Sequence, residues 1–294
     1  MIRRHASLPS ARPARVAAPG RAGTAPGAAL LALALAAACV PKAVPPPDLS
    51  LDPAQLLAQV RAGQARVRSV QGNARLDVRS SAFSGALGQY VAAERPDRLR
   101  LETLDFFGNP AAVMVADGKR FALYDARAKT VYVGRPTPAN LSRLAPAPLA
   151  AADLVAVLCG DAPILEGSPV SAVPAPGAVV LRLEAGLRRQ ELTVGAGARV
   201  ERSRLSGGDG ATSPVAYELG FGERAEVDGV PLPGSVTLET PAPRTRVELT
   251  WKDVEVNRAV DPSLFVLAPP RGARVVDLGD GTVPPLAAPA DRRE

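Results

Sequence analysis

The chain has 294 residues, with 35 Lys and Arg, 29 Asp and Glu and a formal net charge of +6 at pH 7. Five of the basic residues and none of the acidic residues lie in residues 1–38, so the remainder has 30 basic and 29 acidic residues and a formal charge of +1. A near-neutral chain lacks the basic surface that binds a phosphate backbone, which excludes nucleic acid as an expected partner.

The first predicted element is a lipoprotein signal peptide over residues 1–38. Several arginines precede an 11-residue apolar run, residues 28–38, which is too short to cross a bilayer as a helix. The run leads into Leu35-Ala36-Ala37-Ala38-Cys39, which resembles the lipobox of bacterial lipoproteins. The resemblance implies cleavage before Cys39 and lipidation of its thiol. Cleavage by an ordinary signal peptidase, with Cys39 unmodified, is the alternative.

Residues 39–51 are predicted to form a lipidated, proline-rich tether, because prolines hold the backbone extended. Asp52 as N-cap and Pro53 at the first helical position then predict a helix. Its apolar positions fall near one face, at Leu56, Leu57, Val60 and Val67.

From residue 70 the apolar period changes from helical to two, which is typical of half-buried strands. Asp117-Gly118 lies between two such segments and is a strong hairpin signal. One or two helices are predicted to interrupt the strands within residues 136–160. About 11–12 strands are expected in all, too many for a flat open sheet whose apolar face needs covering.

We therefore predict a mainly β fold over residues 52–278. The expected architecture is a curled antiparallel half-barrel of about 11–12 strands with an N-terminal helix and an inserted lid-helix region. Residues 279–294 have no periodicity and several prolines, so a disordered tail is expected there.

The order of these elements resembles the LolA/LolB superfamily, periplasmic half-barrels that carry or receive lipoproteins. The resemblance is closest to outer-membrane LolB-like bacterial lipoproteins of uncharacterised function. It rests on Arg98-Leu99-Arg100-Leu101-Glu102 before Asp105-Phe106-Phe107-Gly108, and on the turn Leu158-Cys159-Gly160-Asp161. The segment Asp261-Pro262-Ser263-Leu264-Phe265-Val266, followed by Pro269 and Pro270, resembles the last strand of the superfamily.

The resemblance implies two sites. The family loop exposes a leucine that enters the membrane, and the corresponding place here holds Phe107 beside Phe106, which implies a membrane-contact loop. The inward apolar residues imply an acyl-chain cavity, although any one of them alone is better explained as ordinary core. The predicted lining residues are Leu76, Leu99, Leu101, Phe121, Leu123, Leu154 and Leu158.

Catalysis has little support in the sequence. The sole histidine, His5, lies in the predicted signal peptide, which removes histidine-based triads and histidine metal sites. Cys159 ends an apolar helical segment and is predicted to be a buried, inert thiol. We expect no catalytic residues, no metal and no cofactor. A hydrolase using strand-end carboxylates such as Asp105 and Asp117 remains the third alternative.

The resemblance implies a lipid-anchored protein of the cell envelope, held in the outer membrane and facing the periplasm. Its expected partners are the membrane, lipidated proteins or lipid acyl chains, and a periplasmic LolA-like carrier. It would deliver lipidated proteins to the outer membrane without covalent chemistry. The alternative is a structural or accessory envelope lipoprotein that uses the same fold to bind a protein partner.

Overall fold

The structure, a computed structural model, describes residues 44–64, 66–105, 107–143, 149–207, 215–241 and 243–279. The α-helices of this part of the chain are α1 (Pro53–Gln64), α2 (Pro138–Leu141) and α3 (Ala151–Leu158). Its strands are β1 (Ser69–Ser80), β2 (Ser84–Glu94), β3 (Arg98–Leu104), β4 (Pro110–Asp117), β5 (Phe121–Asp125), β6 (Thr130–Gly134), β7 (Ser168–Ala175), β8 (Ala178–Ala185), β9 (Arg188–Gly195), β10 (Arg199–Gly207), β11 (Val215–Phe221), β12 (Arg224–Val227), β13 (Val230–Pro233), β14 (Ser235–Pro241), β15 (Arg244–Val256) and β16 (Arg274–Asp277). Short 3-10 helices lie at Ala196–Ala198 and Pro262–Phe265.

Fourteen strands form one large sheet in the order β16-β6-β5-β4-β3-β2-β1-β15-β14-β11-β10-β9-β8-β7, and β12 pairs with β13 in a separate hairpin. Neighbouring strands are antiparallel, except that β16 runs parallel to β6. The sheet is not closed into a barrel. The predicted fold class is confirmed, while the predicted count of 11–12 strands is too low. The strands that the periodicity failed to indicate include β7, which contains two prolines and forms an edge, and the four-residue β16.

Alternation along β1 separates a concave apolar face from an outer polar face, whereas β2 and β4 contain runs buried on both faces, at residues 91–93 and 113–116. In β1, Ala74 is buried on the concave side, whereas Arg75 and Asp77 point outward and form an ion pair at 2.8 Å. The predicted period of two therefore indicates correctly which residues form the core.

Asp52 and Pro53 begin α1 as predicted. The Gln55 amide donates a 2.8 Å hydrogen bond to Oδ1 of Asp52. Leu56 and Val60 are fully buried, and α1 packs on β7, β8 and β10. The helix therefore covers one half of the concave face.

The connection from β6 to β7 has to cross the whole sheet, because β6 lies next to one edge and β7 forms the other. This connection contains α2 and α3, as the helical spacing within residues 136–160 predicts. In the part of it that the structure describes, α3 packs on β2 and β3. The topology therefore places the inserted helices on the concave face.

The segment after β15 returns across the outer face to reach β6. Asp261-Pro262 begins a 3-10 helix here, with the Ser263 amide donating to Oδ1 of Asp261 at 2.9 Å. The expectation that residues 261–266 form the last strand is wrong, because an N-cap aspartate followed by proline favours a helical turn. The last strand is β16, and its parallel pairing follows from this crossover.

The chain packs on the domain from Val44 onwards. The Val44 carbonyl accepts a hydrogen bond from the Gly177 amide at 3.2 Å, and the Gly197 amide donates to Oδ2 of Asp48 at 2.7 Å. Leu49 is buried. The described part of the predicted tether, residues 44–51, is thus docked against the domain.

Cys39, the remainder of the predicted signal peptide and tether up to residue 43, and the tail from residue 280 lie outside the described residues. These expectations stay predictions. Within the described ranges, no helix is long and apolar enough to cross a membrane.

Candidate functional site

The seven predicted cavity-lining residues lie in one apolar cluster on the concave face. Leu99, Phe121, Leu123, Leu154 and Leu158 are buried members of this cluster, and Leu76 and Leu101 pack against it partly exposed. They come from β1, β3, β5 and α3, which are distant in sequence and adjacent through the sheet order. The structure therefore brings together the residues that the resemblance singled out.

One row of this cluster runs straight across the strands. Val91 pairs with Leu101, Leu101 with Met114, Met114 with Leu123, and Leu123 with Tyr132. These five residues, which we call the apolar row, cross β2 to β6. With strands about 4.8 Å apart, the row is about 19 Å long.

Helix α3 covers the concave face with an almost entirely apolar sequence, Ala-Ala-Asp-Leu-Val-Ala-Val-Leu. Its residues from Leu154 to Leu158 are all buried. A helix that is apolar on every side requires burial all round, and the curled sheet provides it. In this conformation α1 and α3 fill the concave face.

A buried carboxylate anchors the turn after α3. Asp161 is 5% exposed and forms an ion pair with Arg95 at 2.8 Å. Arg224 donates to the Gly160 carbonyl at 2.9 Å, and Arg199 donates to the Gly63 carbonyl at 3.0 Å. The first two contacts fasten the C-terminal end of α3 to Arg95, just after β2, and to Arg224 at the start of β12, while the third joins β10 to the end of α1.

Burial controls the titration of this cluster. It raises the pKa of Asp161, although the neighbouring Arg95, Arg224 and Arg199 act in the opposite direction. Burial also raises the pKa of Cys159 to about 12. Cys159 is 1% exposed, so the prediction of a buried cysteine is confirmed.

Phe107 lies at the tip of the β3–β4 loop, and its residue surface is 84% exposed. Oδ1 of Asp105 accepts hydrogen bonds from the Phe107 and Asn109 amides at 2.9 and 2.8 Å. Gly108 has a φ of +82°, a backbone conformation that glycine tolerates best. This organised turn holds Phe107 outward. Phe106 lies outside the described residues.

The two carboxylates of the hydrolase alternative are not brought together. Asp105 precedes β4 and Asp117 ends it, and that strand extends over about 23 Å. Hydrogen bonds from the loop, chiefly from the Asn109 amide, lower the pKa of Asp105. Burial raises the pKa of Asp117, but hydrogen bonds from the Arg120 and Lys119 amides outweigh it and lower the pKa overall. Each carboxylate stabilises its own turn.

No three His, Cys, Asp or Glu side chains are grouped to hold a metal ion within the ranges that the structure describes.

Phe121 also borders a crevice of about 320 Å³ that opens beneath the C-terminal segment, between Val115 and Phe265. A crevice of about 850 Å³ near the ends of β1, β14 and β15 is lined in part by Arg79, Ser81 and Arg244.

Sequence reasoning missed the arginines that the fold buries fully or in part. Arg95, Arg199 and Arg224 are far apart in the chain and have no common motif. Arg143 follows α2 and is 8% exposed, with its guanidinium carbon 4.9 Å from the centre of the Tyr132 ring. The only signal in the sequence was the unusually apolar segment around Arg143. That signal does not show whether the arginine side chain points into the core.

The curled sheet, the α1 helix and the helices inserted between β6 and β7 define the LolA/LolB-like fold. A putative outer membrane lipoprotein-sorting protein domain from Vibrio parahaemolyticus is similar in structure, with a TM-score of 0.52 and 12% identity, covering 73% of this chain and 97% of that one. A LolA superfamily protein from Nitrosomonas europaea gives a TM-score of 0.52 at 10% identity, covering 72% and 97%. A DUF1329 family protein from Desulfovibrio piger gives 0.51 at 11%, covering 73% and 95%.

No protein-family model and no curated protein matches the sequence. At these identities the structural likeness shows the fold alone, which confirms the resemblance inferred from the order of elements.

Proposed function

We propose that this protein binds acyl chains on its concave face and, as a lipid-anchored envelope protein, receives lipidated proteins and passes them to the outer membrane. The observation that supports this is α3, an apolar helix held against the sheet by side-chain contacts. Its own hydrogen bonds, such as Cys159 amide to Val155 carbonyl at 2.9 Å, lie within the helix. An acyl chain can therefore replace it without breaking the sheet.

The free energies of burying an acyl chain and of exposing α3 favour a reversible exchange between the chain and the helix. Burying an acyl chain of about 14 methylene groups contributes about 11 kcal/mol at about 0.8 kcal/mol for each group. Exposing the four larger aliphatic side chains of α3 costs about 6 to 12 kcal/mol at about 1.5 to 3 kcal/mol each. Because the two terms are similar, binding and release are both accessible, as a carrier or receptor requires.

Phe107 provides the contact with the bilayer in this proposal. Its ring is held at a loop tip by the Asp105 turn and is already exposed to solvent, so inserting it into the acyl boundary removes apolar surface from water. The acylated Cys39 would keep the domain beside the membrane, and a soluble LolA-like carrier would bring the cargo.

An accessory envelope protein is the second candidate, and a specific observation favours it. Because α1 and α3 already fill the concave face, the domain is complete without a ligand. Native mass spectrometry of the full chain purified from cells separates the two functions. Retained lipid supports acyl-chain binding, and a uniformly ligand-free protein supports the accessory role.

The proposed membrane contact is tested with Phe107→Glu in a full chain that also carries Cys39→Ala. We expect liposome co-sedimentation to fall at least tenfold, since the lost burial of one aromatic ring is worth about 2 kcal/mol. The melting temperature should stay within about 2 °C, because substitutions of exposed side chains seldom change stability by more than about 0.5 kcal/mol.

Val266→Glu is the matched control, because Val266 is 59% exposed but lies on the outer-face segment. It introduces the same charge and should leave liposome binding unchanged. Phe107→Leu should retain binding. An equal loss in the Val266 variant would show that added negative charge alone repels the liposome, and the loop assignment would then be abandoned.

A further inference from the structure

Arg143 is a buried cation whose partner is missing from the described part of the protein. Only 8% of the residue is exposed, and neither Nε nor Nη2 has a hydrogen-bond partner there. Arg199 is also buried and donates to the Gly63 carbonyl, although its Nη2 has no partner. The half-buried Arg224 donates to the Gly160 carbonyl, and Arg95 pairs with Asp161. Burial without a compensating partner is the least favourable environment for a guanidinium.

Within the described residues, the side chain of Arg143 contacts an aromatic ring. Its guanidinium stacks on Tyr132, and the preceding Leu141 is fully buried. Burial lowers the pKa of Arg143, opposed only by the nearby Tyr132 hydroxyl. The site therefore provides a desolvated positive charge with at least two available N–H donors, which is the chemistry that binds a phosphate or carboxylate oxygen.

Arg143 also lies at one end of the apolar row. Tyr132, on which it stacks, is the last residue of that row and neighbours Leu123 across the strands. From Tyr132 the row continues through Met114 and Leu101 to Val91. A cation at the end of an apolar track about 19 Å long matches a molecule with an anionic head and a long hydrocarbon chain.

We propose that Arg143 binds the anionic head group of a phospholipid whose acyl chain lies along the apolar row. The inference rests on the part of the proposed function that places acyl chains on the concave face, and it adds anionic phospholipid as a ligand class beside the lipidated proteins. The thioether-linked diacylglycerol of a lipoprotein carries no negative charge and would leave Arg143 unpaired. Anionic phospholipid is therefore the better match to this site than a lipoprotein anchor.

The test measures calorimetric affinities of the full chain carrying Cys39→Ala for three probes: dodecyl phosphate, dodecanol and inorganic phosphate. We expect dodecyl phosphate to bind at least tenfold more tightly than either other probe, as a charge-assisted hydrogen bond implies. Arg143→Gln should weaken dodecyl phosphate binding about tenfold and leave dodecanol binding unchanged.

Two controls separate ligand binding from a structural role. Arg182→Gln removes an arginine whose side chain is 55% exposed and paired with Glu191, and it should change no affinity. The melting temperature of Arg143→Gln should be no lower than that of the parent, because the substitution removes an unpaired buried charge. A clear drop would show that Arg143 supports the fold, and the proposal would be overturned.

Three further outcomes of the binding measurements would each contradict a different claim. Equal binding of dodecyl phosphate and dodecanol would overturn the anionic ligand while leaving acyl-chain binding intact. Binding of inorganic phosphate as tight as that of dodecyl phosphate, with the same dependence on Arg143, would show a free-anion site and overturn the lipid assignment. If neither alkyl probe binds, the proposed function fails together with this inference.

Discussion

Asp161 shows how a residue acquires its properties from the fold. In the sequence it is the last member of a short turn, whereas in the structure it is 5% exposed and faces Arg95, Arg199 and Arg224. Burial dominates over these three positive charges and raises its pKa above the ordinary value of 3.8. The direction of this shift determines how Asp161 changes stability with pH.

A carboxyl whose pKa is raised by folding contributes stability below its ordinary pKa and loses that contribution as the pH rises through the folded value. We therefore expect the free energy of unfolding of Asp161→Asn, relative to wild type, to increase as the pH rises from 3 to 7. Urea denaturation at several pH values measures this difference. Asp105 and Asp261 also make stability depend on pH, because their pKa values are lowered. Their contribution is the same in wild type and in Asp161→Asn, so it cancels in the difference.

The opposite trend would contradict this prediction. If the relative stability of Asp161→Asn falls between pH 3 and 7, the attraction of the three arginines exceeds the effect of burial. Glu184→Gln is the control for removing a carboxylate from an ion pair, because Glu184 forms an exposed ion pair with Arg189 at 3.2 Å.

At the scale of single elements, β1 and β15 depend on one close approach. A Cβ atom at Gly72 would lie 2.8 Å from Cα of Val254 and closer still to the Asp253 carbonyl oxygen. The register of this pair shifts between Asn73 and Ala74, next to Gly72. Glycine is needed here because the partner backbone occupies the space that a side chain would take.

Gly72→Ala should therefore lower the free energy of unfolding by about 2 kcal/mol, the usual range for forced overpacking. Thermal or urea denaturation checks this value. Gly229→Ala is the matched control for the loss of a glycine, since a Cβ atom there meets nothing within 4 Å, although its φ of +78° adds some strain. Equal effects of the two substitutions would show that strain in the backbone, rather than the close approach, sets the requirement at Gly72.

Helix α3 differs from the strands in how it is attached. Its first turn is capped by Ala150 without a side-chain hydrogen bond, while its last turn is fastened through Gly160 and Asp161. The central strands β1 and β15 are joined to neighbours on both sides. The helix can therefore leave the sheet without breaking a ladder of strand hydrogen bonds.

We predict that amides of α3 exchange with solvent at a lower opening free energy than those of β1 and β15. Native-state hydrogen exchange with mass spectrometry measures this difference. Bound acyl ligand should increase the exchange of α3 and leave the two strands unchanged. Exchange of all three elements only through global unfolding would identify α3 as permanent core, which supports the accessory function.

At the scale of the whole molecule, the strand order determines which face of the sheet each long connection crosses. The β6–β7 connection crosses the concave face, and the segment from Asn257 to Ala273 crosses the outer face to reach β16. Residues 44–51 add a further contact beside α1. The domain therefore holds its N-terminal segment firmly just after the predicted anchor.

Lipidation at Cys39 remains a prediction, and it concerns the whole molecule because it determines where the domain works. Labelled palmitate should be incorporated into the full chain, and Cys39→Ala should abolish that labelling and leave only the reversible membrane contact of the Phe107 loop. Cys159→Ala is the control and should not alter labelling, since Cys159 is buried. Persistent labelling of the Cys39 variant would show that the lipobox-like run is not used.

Several features were predictable from the sequence because they depend on neighbouring residues. The period of two along β1 and β3, the start of α1 at Asp52 and Pro53, and the hairpin at Asp117-Gly118 all follow from local geometry. The exposed turn at Phe107 also follows from the glycine, asparagine and proline beside it. Their combined order was enough to predict the LolA/LolB-like fold.

The tertiary structure decided which distant residues meet. The strand count, the parallel pairing of β16 and the grouping of Asp161 with three arginines depend on contacts between segments far apart in the chain. Arg143 is the clearest example, because only the folded chain stacks it on Tyr132 and buries it. Sequence periodicity specifies which face of a strand is buried, whereas the partners of a buried charge depend on how the sheet curls and how the helices cross it.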